Sequence, residues 1–552
     1  MSKRGNDVAK RMIDVLNNQC SNKNSSIALS IGDRTFNGAL KDLNVKAIKG
    51  TIGLGCVGMS KTRHASIHWD CFNKLAVIYD GIIYNFKEKL SKEHDLIATT
   101  DADIIAHLLE ENYNGDLYCA TKKVVVNLEG GFAIAATDGN AITAIRDPVG
   151  FRTLYYGEND DFYAFATLKK ALWRIGIPRV SSLKPGNIIT LSEYGMDVSK
   201  VFPEDRFGAT IDIKDKNIAI NEYQETLNTA VQKTLEGIDK AGILLSGGVD
   251  SCLLAKVLSD QASKSGVQLT AYNLGMEGSP DSLLAENFAR ETGLPLRKKT
   301  VTIGELDKAL PQVIRSVEER DFVQIETSLI PYMALEMAAR DSIRKVFVGQ
   351  GPDELWGGYP WYPLLLDKWG YAKLYETMWE DLIRGDTETL ARENKVAQTF
   401  DIELRYPFLD PEVIKIAMRI APQLKVYPNK DDLGKHIHRG LATRLGIPDY
   451  IAKGKKAAAQ HGSGIHNALI QVANEHGFND KLVSRLHYTP DTITAERLGS
   501  SSRYGYQYGD QHMWQVPRNV QLYFDYVAYH QGLLDESKRE KIAATLGGFR
   551  PE

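Results

Sequence analysis

Apolar positions in this chain follow two patterns, and the change from one to the other falls near residue 205. Val8, Met12, Ile13 and Leu16 recur at helical spacing, which predicts a short amphipathic helix over Asp7–Asn18. Short β-branched runs follow at Ser26–Ile31, Thr51–Val57, Lys74–Tyr79, Lys123–Leu128, Phe132–Ala136 and Ile142–Ile145, with Asn, Asp and Gly between them as turns require. A helix is expected at Asp101–Asn112, and Asn187–Leu191 reads as the last strand of this part. The polar stretch Glu204–Asn217 then reads as a linker. Beyond it helix and strand alternate: helices at Ile218–Leu235, Cys252–Ala262 and Ser282–Thr292, strands at Gly242–Leu245, Leu269–Leu274 and Lys345–Val348. Alternation of this kind predicts a parallel sheet covered by helices, and the chain is mostly helical after Pro360.

A chain of 552 residues exceeds one ordinary core, so two domains are expected, at 1–205 and 206–552. Hydrophobic residues at 43% and charged residues at 25% are ordinary for a folded soluble protein. The net charge of −3 gives no basic excess for a polyphosphate backbone, so nucleic acid is not the expected partner. The five cysteines form no CxxC pair, which argues against a disulfide framework or a cysteine-bound zinc and for a reducing cytoplasm. No apolar signal core or run of about 18 apolar residues predicts export or a membrane span.

The sharpest motif is the strand Gly242–Leu245 ending in Ser246-Gly247-Gly248-Val249-Asp250-Ser251, followed directly by a helix. Two glycines let the backbone turn tightly, and successive N–H groups then face one space at the positive end of a helix, as pyrophosphate binding requires. Gly-Gly alone would serve any turn, with Ser246 or Asp250 capping the helix. A second motif, Gly349-Gln350-Gly351-Pro352-Asp353-Glu354-Leu355-Trp356-Gly357-Gly358-Tyr359, follows another apolar strand. Asp353 at the end of that strand is expected to meet Asp250 at the end of the first. Two carboxylates facing a polyphosphate are what Mg²⁺ needs.

Together these strings resemble the synthetase domain of the asparagine synthetase family, whose relatives include β-lactam synthetase. Tyr272-Asn273-Leu274-Gly275, Gly278-Ser279-Pro280-Asp281, Glu403–Asp410 and the Lys453–Gly464 segment carry the resemblance further, over about Ile218–Gly464. It implies an adenine nucleotide α-hydrolase-like parallel-sheet domain with a helical C-terminal part. It also implies a ligase that uses ATP and Mg²⁺. A carboxylate attacks the α-phosphorus to give an acyl-adenylate, and ammonia or an amine then displaces AMP. The implied ATP-binding residues are Leu245, Ser246, Gly247, Gly248, Asp250, Ser251, Leu274, Gly275, Gly349 and Gly351, with Asp250 and Asp353 on the metal. The family's catalytic lysine falls on Lys456, with Lys455 as the alternative one position away.

Two departures bear on the substrate. Gln350 stands where asparagine synthetases carry Glu and the β-lactam-forming relatives Tyr. It cannot act as a base near neutral pH, so any base needed is another group. Glu326 aligns with a family Arg that suits an anionic amino acid. Glu there would favour a cation or a neutral group, so Glu326 and Glu354 are taken as substrate-pocket residues and aspartate as substrate is in doubt.

The first part resembles a class II glutamine amidotransferase domain, with Ntn-hydrolase-like αββα layers. The match runs through Asp80–Asn85, Thr100–Asp103, Leu128–Ala133 and Arg146–Tyr156. That chemistry needs an N-terminal cysteine, and position 2 is Ser. The neighbours of Ser2 read as helix rather than strand, which disfavours Ser2 as a substitute nucleophile. The expected glutamine-binding Arg falls on Gly58, the oxyanion Asn on Asp80 and the neighbouring Glu on Ile82. A carboxylate where an oxyanion forms would oppose the reaction. The expectation is therefore a glutamine-independent amide ligase acting on a small carboxylate and ammonia or an amine, with a homodimer implied by analogy alone. The alternatives are an intramolecular amide- or lactam-forming synthetase and an inactive regulatory or filament-forming homologue, the latter opposed by intact Asp250, Asp353 and Lys456. A nucleobase-modifying enzyme of the same loop superfamily would need the paired cysteines missing here.

Overall fold

The computed structural model describes residues 1–3, 8–19, 26–31, 34–39, 50–58, 68–69, 75–84, 101–203, 207, 210–428, 431–455, 462–491, 516–534 and 536–547. The chain divides into two compact units, Met1–Arg206 and Phe207–Glu552.

The first unit is built on twelve strands: β1 (Ser26–Ile31), β2 (Arg34–Ala39), β3 (Gly53–Gly58), β4 (His68–Trp69), β5 (Ala76–Ile83), β6 (Gly130–Thr137), β7 (Ile142–Arg146), β8 (Tyr155–Glu158), β9 (Tyr163–Ala166), β10 (Ser181–Ser182), β11 (Asn187–Ser192) and β12 (Gly195–Lys200). Its helices are α1 (Ala9–Gln19), α2 (Asp101–Asn112), α3 (Leu117–Val125) and α4 (Lys169–Arg174). Six strands form an antiparallel sheet in the order β12-β11-β7-β6-β5-β4, and two three-stranded sheets run β2-β1-β3 and β10-β8-β9. Period-two alternation assigns the faces of the large sheet. Phe132, Ile134, Ile145 and Ile188 pack with Ile105 and Leu109 of α2 and Leu117 and Val124 of α3. Ala135, Ala144, Ile189 and Leu191 face the other way, against Leu54 of β3, Leu154 and Leu183. Val8, Ile13 and Leu16 cover the outer side of β3 at Val57. The layers therefore run helix, sheet, sheet, helix, the αββα arrangement expected.

Three local expectations are corrected here. Lys123–Leu128 is not a strand: its first half closes α3, which Asp116 caps by accepting from the Cys119 N–H at 2.9 Å. Leu117, Ala120, Thr121, Val124 and Val125 recur on one buried helical face, and that burial outweighs the β-propensity of the Val run. Asn187–Leu191 is not the last strand, because β12 follows it; β12 is a polar, largely exposed edge strand with no apolar alternation to reveal it. The residues around Ser2 are extended rather than helical: Ser2 bridges Phe162, its N–H reaches Thr51 O at 2.8 Å, and the Met1 ammonium reaches Tyr163 O at 2.7 Å. Burial lowers that ammonium's pKa to about 6.

The second unit holds β13 (Lys240–Leu244), β14 (Gln268–Gly275), β15 (Leu296–Thr300), β16 (Lys345–Phe347) and β17 (Glu403–Arg405). All pair in parallel in the order β15-β14-β13-β16-β17. Its helices begin with α5 (Lys216–Leu235), α6 (Val249–Ser265), α7 (Pro280–Thr292), α8 (Ile303–Val317), α9 (Phe322–Arg340), α10 (Pro352–Trp356), α11 (Trp361–Gly385), α12 (Ala391–Gln398) and α13 (Pro411–Arg419). They continue with α14 (His436–Arg444), α15 (Asp449–Ala452), α16 (Ile465–Glu475), α17 (Asp480–Arg485), α18 (Arg518–His530) and α19 (Glu536–Leu546). Local chemistry sets several ends. Ser279 caps α7 with Pro280 at its first position and left-handed Gly293 closes it, while Thr302 and Glu305 form a reciprocal capping box on α8. Among the described residues no helix is long and apolar enough to cross a membrane.

Candidate active site

The strand order places β13 and β16 side by side although the chain visits β14 and β15 between them. Connections leave β13 toward one edge of the sheet and β16 toward the other. In an open parallel sheet, the crevice beyond the carboxyl ends of the strands at such a reversal is where ligands bind. The two glycine-bearing motifs are the segments that leave these two strands.

After β13 the chain turns at Leu245–Gly248 into α6. Buried Leu245 is held on both sides, its N–H on Tyr272 O at 2.9 Å and its carbonyl accepting from the Asn273 side chain at 2.8 Å. Gly247 has φ +85°, and a Cβ there would stand 2.7 Å from Ala285 N and 2.8 Å from Asp281 O, so only glycine fits against α7. The Ser246 and Ser251 hydroxyls lie 3.0 Å apart, and they accept from the Gly248 and Ser246 amides at 3.3 and 3.2 Å. Those two amides serve the loop. The remaining first-turn amides of the 17-residue α6 have no intrahelical acceptor and are the natural anion donors.

Asp250, in the first turn of α6, and Asp353, in the first turn of α10, converge on one cation. Lys435 Nζ lies 2.7 Å from both oxygens of Asp250 and 2.7 Å from Asp353 Oδ1. The lysine is 1% exposed, and burial disfavours its charge, yet the two carboxylates hold its pKa above the ordinary lysine value. Gly358 makes room: a Cβ there would fall 2.0 Å from both Asp353 Oδ1 and Lys435 Cε. Behind Asp250 stands buried His438, with Nε2 3.2 Å from Asp250 Oδ1 and Nδ1 2.9 Å from the Tyr223 hydroxyl. Burial lowers the His438 pKa.

Gly349 lies against the start of α6, where a Cβ would come 3.3 Å from Ser251 N, and Gly351 begins α10. Between them Gln350 donates its amide to Glu393 Oε1 at 2.6 Å. Glu393 is buried, its Oε2 has no hydrogen-bond partner among the described residues, and burial raises its pKa to about 7 against the opposing pull of Arg392 and Gln350. Glu354 turns to the Tyr359 hydroxyl, and Tyr359 stacks on Trp361 at 4.2 Å. Leu274 and Gly275 end β14, and the following Met276 N–H reaches Ser463 O at 2.8 Å. Glu326, on α9, is 3% exposed and pairs with His466 Nδ1 at 2.6 Å. Lys455 is exposed on Asp432 at 2.7 Å, while Lys456 lies outside the described residues.

The residues fit Mg²⁺ in one respect. Two carboxylates already share a single cationic point, and this ion takes one or two protein carboxylates with phosphate and water completing its shell. Among the described residues no cluster of three or more His, Cys, Asp or Glu forms a self-sufficient metal cage.

The family described as Asparagine synthase matches residues 222–387 and 366–526, more than half of the chain. The chain belongs to the asparagine synthetase family. Its sequence is 29% identical over 459 residues to the putative asparagine synthetase (glutamine-hydrolyzing) 1 of Methanocaldococcus jannaschii, spanning 74% of this chain and 81% of that protein. It is 28% identical over 440 residues to asparagine synthetase B (glutamine-hydrolyzing) of Escherichia coli, spanning 76% of each. Residues 59–174 match the family described as Glutamine amidotransferase domain. Membership in the asparagine synthetase family supports an ATP-dependent amide ligase acting on small molecules.

Within that amidotransferase domain, the Arg146–Tyr156 segment proves to be a buried clasp. Asp147 accepts backbone N–H groups from Val149, Gly150, Phe151 and Arg152, and Arg146 donates to the carbonyls of Leu183 and Gly150 at 2.9 and 3.0 Å. On β5, Asp80 lies 3.6 Å from the Arg152 guanidinium. Gly58 ends β3, and Ile82 follows Gly81 on β5.

Sequence reasoning about this asparagine synthetase family member missed Lys435, His438, Glu393 and His466. The only local signal for Lys435 is its place after Gly434, where both residues take positive φ.

Proposed function

We propose that this asparagine synthetase family member is an AMP-forming amide ligase that takes its nitrogen from ammonia or an amine without hydrolysing glutamine. A substrate carboxylate attacks the α-phosphorus of ATP, forming the acyl-adenylate and releasing pyrophosphate, and the nitrogen then displaces AMP. The observation that carries this reading is the convergence of Asp250 and Asp353 on one point beside the Ser246–Gly248 turn, at the strand-order reversal.

Each residue then has a task. The first-turn amides of α6 meet phosphate oxygens at the positive end of a long helix. Asp250 and Asp353 would hold Mg²⁺, which when bound neutralises charge on the departing diphosphate. Lys435 keeps the two carboxylates together and His438 fixes the first of them from behind. Lys456 is assigned the negative charge that builds on phosphorus and later on carbon. Gln350 cannot accept the proton shed as nitrogen bonds to the acyl carbon; Glu393, with a buried open oxygen and a pKa of about 7, can. Glutamine independence is supported by the sequence resemblance, which aligns Asp80 with the family's oxyanion Asn and Gly58 with its glutamine-binding Arg.

The test is AMP and pyrophosphate release from ATP with Mg²⁺ over a panel of carboxylates, with ammonium or glutamine as nitrogen source. Amide should form with ammonium, and no glutamate should appear from glutamine. ADP and phosphate as products would overturn the adenylation step, and glutamate matching the amide formed would overturn glutamine independence.

A further inference from the structure

Four helices meet at a set of buried side chains behind the two-aspartate point, and one of these, Tyr223, has no task in the reaction above. Tyr223 lies on α5, His438 on α14, Asp250 in the first turn of α6, and Trp356 ends α10, the helix that carries Asp353. Tyr223, His438 and Trp356 are each 0% exposed. The Tyr223 ring packs on Trp356 at 4.2 Å between centroids, and its hydroxyl lies 2.9 Å from His438 Nδ1. The other ring nitrogen, Nε2, lies 3.2 Å from Asp250 Oδ1 and has no other hydrogen-bond partner among the described residues. Phe408, edge-on to the imidazole at 5.4 Å, restricts its rotation.

The two sides of the ring are not equivalent. Burial lowers the His438 pKa; Asp250 opposes that shift, and Lys435 and Arg439 add to it, so the ring is neutral and carries one N–H. A carboxylate only accepts, whereas a phenol donates or accepts. With the hydrogen on Nε2, the ring donates toward Asp250 and Nδ1 accepts from the Tyr223 O–H. With the hydrogen on Nδ1, a lone pair would face the Asp250 carboxylate at 3.2 Å. The partner on one ring nitrogen thus sets the state of the other. A buried chain runs from Tyr223 through His438 to Asp250, with both donors pointing toward the carboxylate.

We propose that Tyr223 and His438 are positioning residues for Asp250: the Tyr223 hydroxyl selects the imidazole tautomer whose Nε2–H steadies the carboxylate that would take Mg²⁺. Partners of this kind behind a ligating group change metal affinity or activity by about 10–100-fold. The link to Mg²⁺ rests on the ligase reading; the tautomer does not.

The experiment reads the tautomer first, in the full chain without nucleotide. With histidine labelled with nitrogen-15, long-range correlations from the carbon-bound ring protons distinguish the two tautomers, and His438→Leu identifies which of the 12 histidine signals belongs to His438. His438 should carry its hydrogen on Nε2. Tyr223→Phe, which keeps a ring against Trp356, should bring a mixture of both forms. The second readout is AMP release from ATP at varied Mg²⁺. Tyr223→Phe should raise the Mg²⁺ concentration for half-maximal rate about tenfold, with KM for the acid unchanged. In a His438→Leu background the same change should add nothing, because the two residues act through one chain. A hydrogen on Nδ1 in the unmodified chain, an unaltered spectrum in Tyr223→Phe, or an unaltered Mg²⁺ response would overturn the inference while the ligase reading stands. No AMP with any acid would overturn the ligase reading and the link to Mg²⁺, and the spectra alone would then decide the tautomer.

Discussion

Lys435 meets Asp250 with its ammonium nitrogen 2.7 Å from each carboxylate oxygen, and the same nitrogen reaches Asp353 at 2.7 Å. Two like charges from different motifs would repel at this separation. One buried cation makes their meeting favourable, so Lys435 determines the geometry of the crevice before any ligand enters it.

Lys435→Met should therefore leave two carboxylates facing each other without a counter-charge. Removing one partner of a buried ion pair costs roughly 3–5 kcal/mol. The variant's melting temperature should fall by several degrees and recover in part on adding Mg²⁺, with a smaller response in the unmodified chain. Thermal melts with and without the cation measure this. Equal responses in the two proteins would contradict sharing of one cation by Asp250 and Asp353.

Gly358→Ala tests the same cluster through space alone. The added Cβ would overlap Asp353 Oδ1 and Lys435 Cε at 2.0 Å, so the ion pair must part. AMP release should drop at least a hundredfold, while stability falls by about 1–3 kcal/mol, as expected for overpacking. Paired activity and denaturation measurements give both numbers, and unchanged activity would show that the pair is dispensable.

The motifs were legible because they are backbone chemistry. Gly247, Asp250 and Asp353 occupy turns whose demands show in the string itself, and the strand–helix alternation placed those turns at strand ends. What could not be read depended on long-range packing. Lys435 is one of 67 lysines and arginines, and only the fold brings it to two aspartates far away in sequence. Helix α12, Ala-Arg-Glu-Asn-Lys-Val-Ala-Gln, has the composition of a solvated surface, yet Arg392, Glu393, Asn394 and Lys395 are all buried. Each has a tertiary or local partner: Gln324, Gln350, the Leu390 carbonyl and Glu318, respectively. A period-based reading turns such charges outward. In the first unit Lys123–Leu128 read as strand for the complementary reason, since Val124 and Val125 are buried against a sheet rather than within one.

Asp147→Asn addresses the stability of the first unit. The carboxylate accepts four backbone N–H groups within the Val149–Arg152 turn, and an amide has one oxygen and two hydrogens to offer the same donors. Leaving such donors unmet costs about 1–3 kcal/mol. Hydrogen exchange at the Val149–Arg152 amides should accelerate roughly tenfold or more, with the second unit's amides unaffected. Unaltered protection at those four positions would mean that the clasp is held by Arg146 instead.

Glu393→Gln gives a prediction whose sign follows from its pKa. Burial raises the carboxyl to about 7 in the folded chain, from 4.5 when unfolded. A group raised on folding contributes stability that is complete below the unfolded value and lost as pH rises through the folded one. Glu393 therefore weakens the fold progressively as pH rises from 4.5 to about 7, by about 3 kcal/mol in all at roughly 1.4 kcal/mol for each pH unit of displacement. Glutamine has nothing to ionise, so the variant should gain on the unmodified chain between pH 5 and pH 8 in matched denaturation curves. Its catalysis should move the opposite way. Without an oxygen able to take a proton near neutrality, the nitrogen-transfer step slows, whereas adenylation, followed by exchange of labelled pyrophosphate into ATP, continues. A variant that loses exchange and amide formation together would place Glu393 in the binding of ATP or the acid, and the proton acceptor would have to be sought elsewhere in the crevice.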